Sequence, residues 1–165
     1  MLDLERNFSG EIVEATMFLL MGLINLIIAL YIFKKIKISF WRGLAYVCIC
    51  LGLFQLTIGM TIQLKNPIKH EKLKESFQNK DKDYLSLEIK KGQTLLENLN
   101  FYKWAGISFF IVGVLVFYFF DFNTSWKGIG MGIIFQSMFM EFLNYKSTSR
   151  TKEFLEYLQQ NLNQF

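Results

Sequence analysis

A single proline, a single histidine and two cysteines occur among the 165 residues, and each scarcity excludes a class of function. The lone His70 has no second His and no Cys at metal-ligand spacing, so no zinc site is expected. Cys48 and Cys50 are two residues apart in an apolar stretch, on nearly opposite faces of a helix. They form neither a mutual disulfide nor a CxxC redox pair, and read as small packing residues. GxSxG, HExxH and a phosphate-cradling glycine loop are all missing. No titratable set converges, and the chain reads as a non-enzyme without cofactor or metal.

Charge is also missing, but only locally. The chain is 52% hydrophobic with a mean hydropathy of +0.26, more apolar surface than a soluble domain of this length hides. Residues 15–33, 44–64 and 104–120 contain no charged side chain, and 128–144 contains only Glu141. A hydrocarbon core of about 30 Å takes roughly 20 helical residues, so each stretch has the length of one crossing. The fourth is the most polar, diluted by Gln136, Glu141 and Asn144. Trp41, Tyr102, Trp104, Trp126 and Tyr145 fall at the ends, where amphipathic rings favour the headgroup layer. The pattern predicts an all-α integral membrane protein, a four-transmembrane-helix up-down bundle forming one membrane domain, with the lipid bilayer as its first partner. The first 14 residues carry Asp3, Glu5, Glu11 and Glu14 against Arg6, so the first stretch reads as a retained helix rather than a signal peptide.

What is abundant lies between these stretches. Residues 65–103 form a polar, lysine-rich helical loop that opens with Pro67, which is expected to stop the second helix near Lys65 and start a short amphipathic helix on Ile68, Leu73 and Phe77. After a break around 79–83, Leu85, Ile89, Gly92, Leu96 and Leu99 recur at alternating spacings of four and three. The same phase continues through Gly106, Phe110, Gly113 and Phe117, so one helix is expected from about Tyr84 to Phe120, taller than a bilayer. Residues 150–165 form an amphipathic C-terminal helix on Phe154, Leu155, Leu158 and Leu162, suited to packing on the projecting part of the third helix.

The net charge of +4 is mixed with acidic residues and flanks apolar helices, which fits lipid headgroups and not nucleic acid. With both termini cytoplasmic, 13 basic residues lie inside and 5 outside, the arrangement favoured by the positive-inside rule. The Lys34, Lys35, Lys37 and Arg42 cluster in the first loop works against it. A composition low in Pro and rich in Lys, Asn, Ile and Phe fits a bacterial plasma (inner) membrane protein.

The most informative motif is a stripe along the second stretch: Ala45, Cys48, Gly52, Gln55, Gly59 and Gln63, each small or an amide. Gly22, Asn25 and Ala29 repeat the theme on the first stretch, Gly106 and Gly113 on the third, and Gly128, Gly132 and Gln136 on the fourth. Apolar helices associate through close backbone approach at small residues and through interhelical hydrogen bonds. The stripes are therefore expected to pack, within one chain or between copies, with Asn25, Gln55 and Gln136 hydrogen-bonding across the interior. Two functional expectations follow. The first is an assembly scaffold or accessory subunit, of the kind an immunity or defence protein would be, in a homo-oligomer or with a membrane-protein partner. The second is a homo-oligomeric ion channel or proton-coupled transporter lined by the second-helix stripe, with Glu14 and Glu141 as a carboxylate pair. The simpler expectation for both carboxylates is an interfacial position, reaching water or pairing with Lys65, Lys103 or Lys146.

Overall fold

Long apolar runs flanked by helix-favouring Lys, Glu and Leu leave the backbone one way to satisfy its own hydrogen bonds, and the chain is helical nearly throughout. The computed structural model describes residues 2–79 and 82–162, the side chains of 2–6 and 77 excepted. Its elements are α1 (Leu2–Lys35), α2 (Ser39–Asn79), α3 (Lys82–Phe119) and α4 (Ser125–Leu162). The expected anchor Phe77, positions 80–81 of the expected break, and residues 163–165 lie outside the described residues. Lys34 and Lys35 close α1, where cations favour the helix C-terminus. A turn in which Asp121 O accepts from Thr124 N and Oγ1 leads into α4.

The four helices form an antiparallel up-down bundle. α1 packs on α2 and α3 on α4, and α2 against α4 joins the two hairpins, whereas α2 and α3 scarcely touch. α1, α2 and α3 are each long and apolar enough to cross a membrane. α4 is not among them, its hydropathy reduced by the polar residues that dilute 128–144.

At about 1.5 Å per residue, helices of 34 to 41 residues run roughly 50–60 Å. Two levels of packing divide that height. At the end holding both termini, Phe8, Leu73, Leu85, Ile89, Phe154, Leu155 and Leu158 form one core drawn from all four helices. Along the apolar level the buried residues are mostly small ones and amides, with Ile32 and Leu143 the large exceptions, and most large side chains point outward.

Pro67 does not end α2. The helix runs through it to Asn79, although a proline removes one backbone hydrogen bond and costs about 3 kcal/mol inside a helix. Tertiary contacts on both sides hold the segment: Asn66 Nδ2 donates to Phe8 O at 3.3 Å, Lys69 pairs with Glu11, the His70 ring meets Phe8 edge-on at 4.3 Å, and Leu73 is fully buried. Local propensity yields to the packing of the following turns.

Candidate functional site

The interior of the apolar level is built from a seven-residue register between α1 and α2. Gly22 meets Gly52, Ala15 meets Gly59, and Phe8 meets Asn66, each pair one heptad from the last in opposite chain directions. A Cβ built on Gly22 would lie 2.8 Å from the Gly52 carbonyl oxygen, and one on Gly52 would lie 3.0 Å from that of Gly22. Only glycine allows that approach. Cys48 is buried with Ala29, Ile32 and Ala45 in a small cluster on the same interface.

Half a heptad away lies the amide chain. Asn25 Nδ2 donates to Gln55 Oε1 at 2.8 Å, and Gln55 Nε2 donates to Gln136 Oε1 at 2.8 Å. Three helices are thereby linked in one line, with all three side chains buried and Gln55 only 2% exposed. Hydroxyls on the outer surface satisfy themselves instead: Thr57, Thr61 and Ser108 each donate to the carbonyl four residues back in their own helix.

α4 carries glycine contacts on two faces. Gly128 rests on the Phe40 carbonyl and Gly132 on Val47, both of α2, while Gly130 lies against Gly113 and Phe117 of α3. A Cβ on Gly130 would fall 2.6 Å from Phe117 N. Gly43 and Ser125 make a similar backbone approach where α2 and α4 begin.

Gln63, alone of the α2 stripe, is not covered by another helix of the same chain and is exposed. The buried face of α2 continues at seven-residue intervals from Ala45 and Gly52 through Gly59 to Asn66 and Leu73. Three residues past Gly59 is Ile62; Gln63, four past, has rotated off the face. The repeat itself carried this information, since a 3.5-residue period alternates steps of three and four.

The two carboxylates are not brought together. Glu14 forms a two-pronged ion pair with Arg150 of α4, Nη1 to Oε1 at 2.7 Å and Nη2 to Oε2 at 2.9 Å, with both side chains mostly buried. Gly10 makes the room: a Cβ there would lie 2.6 Å from Arg150 Cδ. Glu141 instead lies half-buried on α4 with a carboxylate oxygen against Gly106 of α3. The partner of Glu14 is thus an arginine 136 residues away, and neither it nor Gly10 stood out in the sequence. The usable signal was Gly10 itself, one turn before Glu14 on the face that α4 meets.

Among the described residues no three His, Cys, Asp or Glu side chains gather as a metal would require. What the arrangement does chemically is hold four helices together by backbone approach, one amide line and one buried ion pair. The chain is therefore a four-helix all-α bundle with three helices able to span a membrane. No protein family matches it, and neither does any curated protein or solved structure.

Proposed function

We propose that this chain is a non-enzymatic polytopic membrane protein, an assembly scaffold or accessory subunit that offers its outer helix surface to a membrane partner or a second copy. The observation that carries the reading is the exposure of α3. Only 6% of its most apolar window is buried, against 28% for α2, and Phe109, Tyr118 and Phe119 stand out at 62%, 79% and 75% exposure. Water does not tolerate such a surface, and lipid or another helix covers it. The glycine stripes of all four helices are already filled within the chain, which leaves the large outward side chains, those of α3 foremost, as the face for assembly.

On this reading all four helices cross the bilayer, with α4 carried by its neighbours despite its lower hydropathy. Both termini and the lysine-rich end lie on the cytoplasmic side of a bacterial inner membrane. The fold supports this orientation, because the N-terminus, the 65–103 region and the C-terminus share one end, and that end collects most of the basic residues.

A channel or proton-coupled carrier is the second reading, favoured by Glu141: a carboxylate in the apolar part of α4, against a glycine, is costly in lipid and such groups mark ion pathways. Reconstitution with measurement of ion and dye flux across a pH series separates the two readings. The scaffold reading expects no flux, and a stable larger assembly in mild detergent. Flux abolished by Glu141→Gln overturns it. Orientation is checked by labelling Ile38→Cys, Asn79→Cys and Gln160→Cys in intact cells, in a Cys48→Ala, Cys50→Ala background. Position 38 is expected to label from outside, and 79 and 160 are not.

A further inference from the structure

Where α2 and α3 diverge, the lysine-rich end holds a cleft of about 400 Å³. Lys65, Lys69 and Lys72 line it from successive turns of α2, and Lys91 lines it from α3. Lys69 is balanced by Glu11 at 3.2 Å and Lys91 by Glu88 at 2.6 Å, carboxylates that also line the cleft. Lys65 and Lys72 are exposed and have no carboxylate within 4 Å among the described residues. The lining therefore carries two cations in excess. Asn7 also borders the cleft; it is 5% exposed and its Nδ2 is buried with no hydrogen-bond partner. Folded chains pair nearly all such donors.

The walls are not only cationic. Ile68 and Leu95 line the cleft while 59% and 40% exposed, and Leu64, one residue before Lys65, is 75% exposed. Lys65 is the first charge after the uncharged stretch 44–64. Cations thus stand where an apolar helix surface ends, with Ile68 and Leu95 beside them and Leu64 on the side of the apolar stretch. A soluble phosphate ester matches the cations alone, whereas a phospholipid matches both halves.

We infer that the α2–α3 cleft binds the phosphate-bearing headgroup of an anionic phospholipid, with Lys65 and Lys72 on the phosphate, Ile68 and Leu95 beside the headgroup, and Leu64 against the first acyl carbons. Asn7 supplies a buried donor at the inner wall. The site rests on the membrane reading above, and it makes this end of the bundle a defined headgroup site rather than a generic basic patch.

The test uses the full chain in mild detergent, titrated with short-chain phosphatidylglycerol, phosphatidylcholine or glycerol 3-phosphate, with bound ligand counted by native mass spectrometry. Phosphatidylglycerol is expected to bind about tenfold more tightly than phosphatidylcholine. Lys65→Gln is expected to weaken it about fivefold, and Lys65→Gln with Lys72→Gln roughly 25-fold. Lys34→Gln with Lys35→Gln, at the opposite end of the bundle, leaves binding unchanged. Circular dichroism of each variant checks that helix content is intact, as exposed Lys-to-Gln changes allow. Equal affinity for the two lipids, wild-type binding by the double variant, or an equal loss in the control pair each overturns the site. Displacement of the lipid by an equal concentration of glycerol 3-phosphate overturns the lipid assignment in favour of a soluble phosphate ester. Failure of the membrane reading registers separately, as a chain that stays monodisperse without detergent and does not enter phosphatidylglycerol vesicles.

Discussion

The same four helices are packed by two opposite chemistries at their two levels. At the lysine-rich end large apolar side chains are the most hidden, with Leu73, Leu85 and Leu158 at 0% exposure, Asn7, Asn66, Ser76, Glu88 and Thr151 buried beside them, and Lys65, Lys72, Lys74, Lys82 and Lys90 turned outward. In the apolar level the order is largely inverted, Ile32 and Leu143 excepted: Ala15, Ala29 and Ala45 are fully hidden and Gln55 nearly so, while Leu30 and Phe109 are 67% and 62% exposed. Nothing in backbone geometry requires the change, since α1 and α2 keep one seven-residue register through both levels. On the membrane proposal the surroundings differ. Water expels large apolar groups and so builds a core from them. Lipid does not, and association there rests on close approach and interhelical hydrogen bonds, which small residues and amides provide. The inversion is what the membrane proposal explains and a water-soluble bundle does not.

Mutations can break or sharpen that contrast. The largest effect is expected at the backbone approaches: Gly128→Leu, whose side chain would overlap the Phe40 carbonyl, is expected to cost more than about 4 kcal/mol, beyond the usual range for overpacking. Loss of the cooperative thermal transition in detergent is the readout. Gly22→Leu tests the α1–α2 approach in the same way.

Next come the large side chains. Leu73→Ala at the lysine-rich end should destabilise by about 2–5 kcal/mol, whereas Leu30→Ala in the apolar level should shift stability by no more than about 0.5 kcal/mol. Equal losses at the two positions, measured by denaturant titration in one detergent, would erase the distinction between the levels.

Arg150→Met leaves the Glu14 carboxylate mostly buried and unpaired. Removing one partner of such a pair typically costs about 3–5 kcal/mol when burial is complete, and roughly 2 kcal/mol is expected here because each side chain retains some access to solvent. Adding Glu14→Leu to Arg150→Met should recover most of that loss in a double-mutant cycle.

The amide line is expected to matter less. Gln55→Leu strands the Asn25 donor and the Gln136 acceptor, yet interhelical hydrogen bonds in bilayers average only about 0.6 kcal/mol each, so a loss of about 1–2 kcal/mol is expected. Gln63→Leu, on the exposed side of the same helix, should fall within about 0.5 kcal/mol of wild type. A Gln63 effect as large as that of Gln55 would mean that Gln63 faces another protein chain in the assembled state.

How far the sequence could be read follows from which interactions are local. The α3 phase from Leu85 to Phe117 was legible because one helix surface repeats one pattern, and α3 is uninterrupted over that length. The stripe of α2 was legible as far as Gly59 because lipid-facing positions favour large residues, so small ones stand out. Gln63 lies off the seven-residue phase and is exposed in the single chain, so a partner for it has to come from another copy. Pro67 misled for the opposite reason: its cost is local and certain, and the contacts of Asn66, Lys69, His70 and Leu73 that offset it come from α1 and the terminal core. Asn25, Gln55 and Gln136 could be nominated as amides needing partners, since an isolated amide in an apolar helix is unstable; their order along the line could not.

By itself, the sequence determined four apolar helical stretches and most of the small or polar face each would hide, because those properties depend on spacing along one helix; that 44–64 runs on through Pro67 and 128–144 into the C-terminal segment came from tertiary packing. The tertiary structure decided which faces met. It placed α2 and α4 at the centre and left α3 outside, it paired Glu14 with Arg150 rather than with a lysine or beside Glu141, and it opened the lysine-lined cleft between two helices that scarcely touch. Each of these depends on the order in which helices surround one another. Several orders bury the same stripes equally well, and only the fit of glycine against backbone and amide against amide selects among them.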